Sequence, residues 1–160
     1  MTAVESMLTA LHANDLKAAE SAAQDVIAHD PRHFDALHLT GVLAASSGRG
    51  YRAIYFLRRA LATDPYHTDA LYNLGLTLEQ QGHSGEALPY LRRAKSQNPS
   101  SAETRLTLAR ALHAQKRFSE EQQELLALIE MQPDQAPAWS LKALAHQSLN
   151  ELEVALECVQ

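Results

Sequence analysis

Residues Leu71–Pro99, LYNLGLTLEQQGHSGEALPYLRRAKSQNP, read as two amphipathic helices joined by a glycine-containing turn and closed by a proline. The chain repeats this stretch. Pro31, Pro65, Pro99 and Pro133 are each 34 residues apart, and so are Gly41, Gly75, Ala109 and Ala143. A third column at the same interval holds Ala19, Ala53, Ala87, Glu121 and Ala155. A constant period of this length sets the architecture before any helix boundary is drawn.

Outward from that stretch, the 160 residues divide into four units and a truncated fifth, at about 1–33, 34–67, 68–101, 102–135 and 136–160. They are read as one domain. In the first unit Val4, Met7, Leu8 and Leu11 mark a helical face, and Asn14-Asp15 signals a turn and a helix start. In the second unit the turn is Ser46–Gly50. Each of the four complete units closes on Asp-Pro, Asn-Pro or Gln-Pro, because the residue before proline is pushed out of the α region. One hairpin cannot bury its own apolar stripe, so the units must stack. The small-residue columns are where helices approach closely.

The spacing resembles the tetratricopeptide repeat (TPR) pattern, W-x2-L-G-x2-Y…A-x3-F…P. The third unit has Leu71, Leu74, Gly75 and Leu78, then Ala87, Leu91 and Pro99; the second has Leu37, Thr40, Gly41 and Ala44, then Ala53, Leu57 and Pro65. Trp139 opens the fifth unit in the tryptophan column and is read as core. The resemblance covers nearly the whole chain. It implies an all-α, right-handed superhelical solenoid of antiparallel helix pairs, with about four and a half repeats. It also implies that first helices line a concave groove that takes peptides.

Three positions depart from the pattern. Met7 stands in the small column of the first unit, which implies slacker packing at that end. Glu121 stands where alanine is expected. An unpaired buried carboxylate costs several kcal/mol, so the second helix of the fourth unit is expected to shift until Glu121 reaches water. Pro89 falls inside a helix and is expected to bend it slightly.

By the family pattern, four columns face the groove: Val4/His38/Tyr72/Leu106/Ser140, Leu8/Val42/Leu76/Arg110/Leu144, Leu11/Ala45/Glu79/His113/Gln147 and Glu5/Leu39/Asn73/Thr107/Leu141. The binding residues taken from them are His38, Val42, Tyr72, Asn73, Leu76, Glu79, Leu106, Arg110 and His113. Asn73 and Arg110 are assigned to orienting the ligand. A carboxylate clamp of the cochaperone type needs several Lys, Arg and Asn here, and only those two are available. The asparagine ladder of O-linked glycosyltransferase TPR domains is also missing, since Leu39, Thr107 and Leu141 flank Asn73.

Composition narrows the function. The net charge of -5 and the absence of a basic block argue against a nucleic-acid partner. No apolar run approaches the roughly 20 residues that span a bilayer, and the N-terminus lacks a secretory n-region. Cys158 is the only cysteine, so no internal disulfide forms. A cytoplasmic location is expected. The eight histidines show no metal-ligand spacing, so no metal and no cofactor are expected. His38 and His113 are placed to make binding pH-sensitive. No phosphate loop, nucleophile elbow or paired carboxylates appear, so the chain is read as non-enzymatic.

The pairs Arg58-Arg59 and Arg92-Arg93, also 34 residues apart, have two readings. One is favourable charge near helix C-termini; the other is a basic outer ridge for an acidic partner.

The function expected is a protein–protein interaction scaffold. The fifth unit lacks its closing half, leaving Leu152, Ala155, Leu156 and Val159 uncapped. That implies either a homo-oligomer through this end or a longer protein. The rival functions are therefore a recruiting N-terminal region of a larger enzyme, such as a glycosyltransferase or sulfotransferase, and a secretion chaperone built on TPR units.

Overall fold

The computed structural model describes residues 2–131. Eight helices follow one another: α1 (Ala3–His12), α2 (Leu16–His29), α3 (Phe34–Ser46), α4 (Gly50–Thr63), α5 (Thr68–Gln80), α6 (Ser84–Gln97), α7 (Ala102–Ala114) and α8 (Phe118–Met131). No strand occurs among the described residues. The expectations that rest on Pro133, Trp139, Ser140, Leu141, Ala143, Leu144, Gln147, Cys158 and the uncapped end lie outside them.

Each hairpin turns through one left-handed residue. These are Asn14 (φ 54), Gly48 (φ 73), Gly82 (φ 80) and Lys116 (φ 56), again 34 apart. Glycine takes this conformation freely and asparagine tolerates it, but lysine is strained there. Second helices stop at equivalent corners. The C-caps Asp30, Asp64 and Asn98 have φ of -128, -129 and -128, and each precedes a proline of the repeating column. First helices start on a capping side chain. Asp30 and Asp64 brace the two corners whose caps are histidines: the Nδ1 atoms of His33 and His67 accept from the N–H groups of Ala36 and Ala70. Ser101 plays that part for α7.

The two helices of a unit meet at the small column. A Cβ on Gly41 would lie 2.7 Å from Cγ of Leu57, and one on Gly75 would lie 2.6 Å from Cγ of Leu91. The fourth unit places Ala109 and Leu125 in one cluster. The first unit reverses the sizes. Met7 is not slackly packed, as the sequence suggested, but only 2% exposed, in a cluster with Ala23. Ala23 occupies the position that Leu57, Leu91 and Leu125 fill elsewhere. A large residue facing a small one gives the same close packing from either side.

Glu121 does not reach water, contrary to the expectation from its column. It is 0% exposed, as deep as Ala19, Ala53 and Ala87 in its column. The expected movement of its side chain into water has not occurred. Instead α7 supplies a partner: Nδ1 of His113 lies 3.1 Å from both carboxylate oxygens. A charge-assisted hydrogen bond offsets the desolvation that would otherwise force the carboxylate outward. Pro89 lies on the exposed side of α6, which runs unbroken through it. There the missing N–H costs one bond and the ring is turned toward solvent.

The main core cluster runs from Ala44 on α3 to Leu112 on α7, with Leu57, Leu71, Leu74 and Leu91 wholly buried inside it. From unit to unit the first helices approach one another, α3 on α5 and α5 on α7. Second helices are tied by long side chains instead. Arg58 reaches Glu86 at 2.6 Å and Arg92 reaches Glu120 at 2.7 Å, both 28 residues forward. Arg59 and Arg93 donate to the carbonyls of Pro31 and Pro65, 28 residues back. The arginine pairs therefore staple adjacent units; they do not sit in the last turns of their helices, which carry no basic residue on α4 and only Lys95 on α6.

Candidate partner-binding groove

The closer approach of first helices puts them on the inside of the curve. Two hollows follow that face. One, of about 340 Å³, is bordered by Leu8, Leu11, Asp35, His38, Leu39 and Val42. The next, of about 230 Å³, is bordered by Val42, Ala45, Asn73, Leu76, Thr77 and Gln80. Val42 borders both, so the hollows are neighbours along α1, α3 and α5. Leu8, Leu11, Leu39, Val42 and Leu76 give their borders an aliphatic share beside polar groups such as Asn73, Thr77 and Gln80.

Of the nine residues expected in the groove, the structure brings His38, Val42, Asn73 and Leu76 together around these hollows. Asn73 Nδ2 lies 3.1 Å from His38 Nε2, linking α5 to α3. With the amide donating, the neutral ring protonated on Nδ1 completes that bond. The His38 ring stacks on Phe34 with centroids 5.6 Å apart and tilts against His67 at 5.4 Å. Burial, and then the neighbouring His67, hold the His38 imidazole below the usual histidine range, against an opposite pull from Asp69 and Asp35.

The other five lie differently. Glu79 and Arg110 form an ion pair at 2.6 Å between α5 and α7. Tyr72 is half-buried and packs against the main core. Leu106 is exposed on α7, away from both hollows. His113 is taken up by Glu121 of its own hairpin. The two groups assigned to orient a ligand, Asn73 and Arg110, thus already have partners within the chain. Asn73 Oδ1 and the remaining N–H groups of Arg110 hold none among the described residues.

An exposed acidic column that the sequence reading did not single out begins with Asp35 at the edge of the first hollow. Asp35, Asp69 and Glu103 are exposed, stand 34 residues apart, and occupy the first turns of α3, α5 and α7. Their periodicity was the available signal; a first-turn carboxylate reads more readily as helix-dipole compensation. Among the described residues Glu79 is paired with Arg110, while Asp35, Asp69 and Glu103 form no ion pair.

A stack of helix hairpins with a concave, partly aliphatic face is a helical-repeat solenoid. Three tetratricopeptide repeat family models match residues 8–68, 56–88 and 78–145, and the chain belongs to the tetratricopeptide repeat family. Solved structures with the same fold include YrrB, described as a TPR protein with an unusual peptide-binding site. It is 23% identical, with a TM-score of 0.83 over 94% of this chain and 78% of that one. MamA AMB-1 is 22% identical, with a TM-score of 0.82 over 98% and 93%. MamA 41-end from Desulfovibrio magneticus RS-1 is 17% identical, with a TM-score of 0.78 over 97% and 92%. At these identities the likeness is one of fold. No curated protein is a significant match in sequence. Among the described residues no helix is long and apolar enough to cross a membrane.

Proposed function

We infer that the chain is a protein-interaction scaffold whose concave face captures an extended or helical segment bearing aliphatic and cationic side chains. The observation that carries this reading is a run of aliphatic side chains beside an exposed acidic column. Leu8, Leu11, Leu39, Val42 and Leu76 offer apolar surface across three first helices. Asp35, at the edge of the first hollow, begins the carboxylate column continued by Asp69 and Glu103. Apolar contact supplies affinity, and the carboxylates select the sign of the partner's charge. The buried core that runs from unit to unit holds the groove in shape before binding, which lowers the ordering cost on this side.

The test uses fluorescence anisotropy with labelled peptides alternating Lys and Leu, Gln and Leu, or Glu and Leu. The Lys/Leu peptide is expected to bind most tightly. Its binding should fall about tenfold or more when Val42→Lys and Leu76→Lys place two charges in the aliphatic run. Equal binding to wild type and to the double variant removes the groove from the reading.

A further inference from the structure

A stripe along α4 takes no part in the groove. Tyr51, Ile54, Tyr55, Arg58, Arg59 and Ala62 border an open hollow of about 410 Å³. A hollow of about 220 Å³ adjoins it toward α6 and shares Tyr51, Ile54 and Arg58. Tyr51 and Tyr55 are 70% and 57% exposed, and Tyr66 at the following corner is 72% exposed. Aromatic rings left in water beside arginines have the composition of interface centres.

The charge of this face is positive, although the chain carries -5 overall. The Arg59 guanidinium lies 5.5 Å from the Tyr55 ring centre, and Arg93 lies 5.5 Å from that of Tyr66. Both arginines donate to proline carbonyls and have no carboxylate partner among the described residues. Arg49 and Arg52 share the one carboxylate of Glu20. Arg58 is neutralised by Glu86. Positive charge therefore remains uncompensated beside exposed tyrosine.

We propose that the α4 stripe is a second docking surface, opposite in sign to the groove, which takes an acidic peptide segment. Carboxylates of the segment pair with Arg59 and Arg93, and its aliphatic side chains lie on Tyr51, Ile54 and Tyr55. A nucleic-acid strand fits less well. The two arginines without carboxylate partners would release few counterions, and Glu20 and Glu86 stand on the same face.

The experiment is anisotropy with the labelled Glu/Leu and Gln/Leu peptides and a labelled oligothymidylate, at low and high salt. The Glu/Leu peptide is expected to bind about tenfold or more tightly than Gln/Leu at low salt, and to weaken as salt is added. Roughly fivefold or greater loss is expected in Arg59→Glu and in Tyr51→Ser/Tyr55→Ser, whose exposed rings leave the core untouched. The groove variant Val42→Lys should bind the Glu/Leu peptide as wild type does, and the tyrosine variant should keep the Lys/Leu peptide. The proposal is overturned if Glu/Leu shows no preference over Gln/Leu, if the tyrosine variant binds it unchanged, or if oligothymidylate binds more tightly. It is also overturned if light scattering shows wild type self-associated and the tyrosine variant dissociated, because the stripe then belongs to a second copy.

Discussion

Nδ1 of His113 lies 3.1 Å from both oxygens of Glu121, whose carboxylate replaces an alanine of the repeating small column. The two partners are unequal. Glu121 is fully buried, while the His113 side chain is 41% exposed. Removing one is therefore a different perturbation from removing the other.

His113→Ala leaves a buried carboxylate without its partner and is expected to cost about 3–5 kcal/mol. Glu121→Ala leaves an imidazole that water can reach, and restores the residue found at positions 19, 53 and 87. It is expected to stay within about 1 kcal/mol of wild type. The double variant should recover most of the loss of His113→Ala. Urea unfolding of the four proteins measures this, and equal losses for the two single variants would contradict it.

The exchange of sizes across the hairpin makes a second prediction. Gly41→Met drives a side chain into Leu57 and is expected to cost about 3 kcal/mol or more. Adding Leu57→Ala reproduces the Met7 and Ala23 arrangement of the first unit, and should regain more than half of that loss. Thermal melts decide it: a double variant no more stable than Gly41→Met would show that the units do not share one packing rule.

Lys116 holds a left-handed conformation that glycine holds at positions 48 and 82. Relief of the side-chain clash, worth about 1–2 kcal/mol, outweighs the extra freedom glycine brings to the unfolded chain. Lys116→Gly is thus expected to raise stability by roughly 0.5–1 kcal/mol, read as a higher urea midpoint at unchanged slope. A lower midpoint would refute the strain.

Acid should weaken the packing around His38. Its proton affinity is lowered in the folded protein, so the unfolded chain takes up a proton at higher pH than the folded one. Stability is therefore unaffected well above the ordinary histidine value, and is lost as pH falls from about 6.5 toward the lower folded value. His38→Gln removes this contribution. The stability difference between His38→Gln and wild type should shift in favour of the variant as pH falls from 8 to about 5. A difference independent of pH would place the effect elsewhere.

The outer staples should matter less. Arg58 and Glu86 are both half in water, with side-chain exposures of 49% and 55%. Arg58→Ala is expected to cost no more than about 1 kcal/mol, less as salt is added. A larger, salt-independent loss would mean that the unit interface depends on this pair.

The period of 34 was enough to determine the hairpins, their proline-marked corners and the glycine columns. Each depends on local backbone preference or on an apolar stripe, and both are written in residue order. The packing at Gly41 and Gly75 was legible for the same reason. What only the tertiary structure decided was which polar side chains find each other. His113 is eight residues from Glu121, Asn73 is 35 from His38, and Arg110 is 31 from Glu79. Such pairs depend on the angle at which neighbouring helices cross and on which rotamer bridges the gap. Neither quantity leaves a mark on spacing. Hence a glutamate in an alanine column read as a misfit when it was half of a buried pair, and Asn73 and Arg110, read as ligand contacts, turn out also to link two helices each.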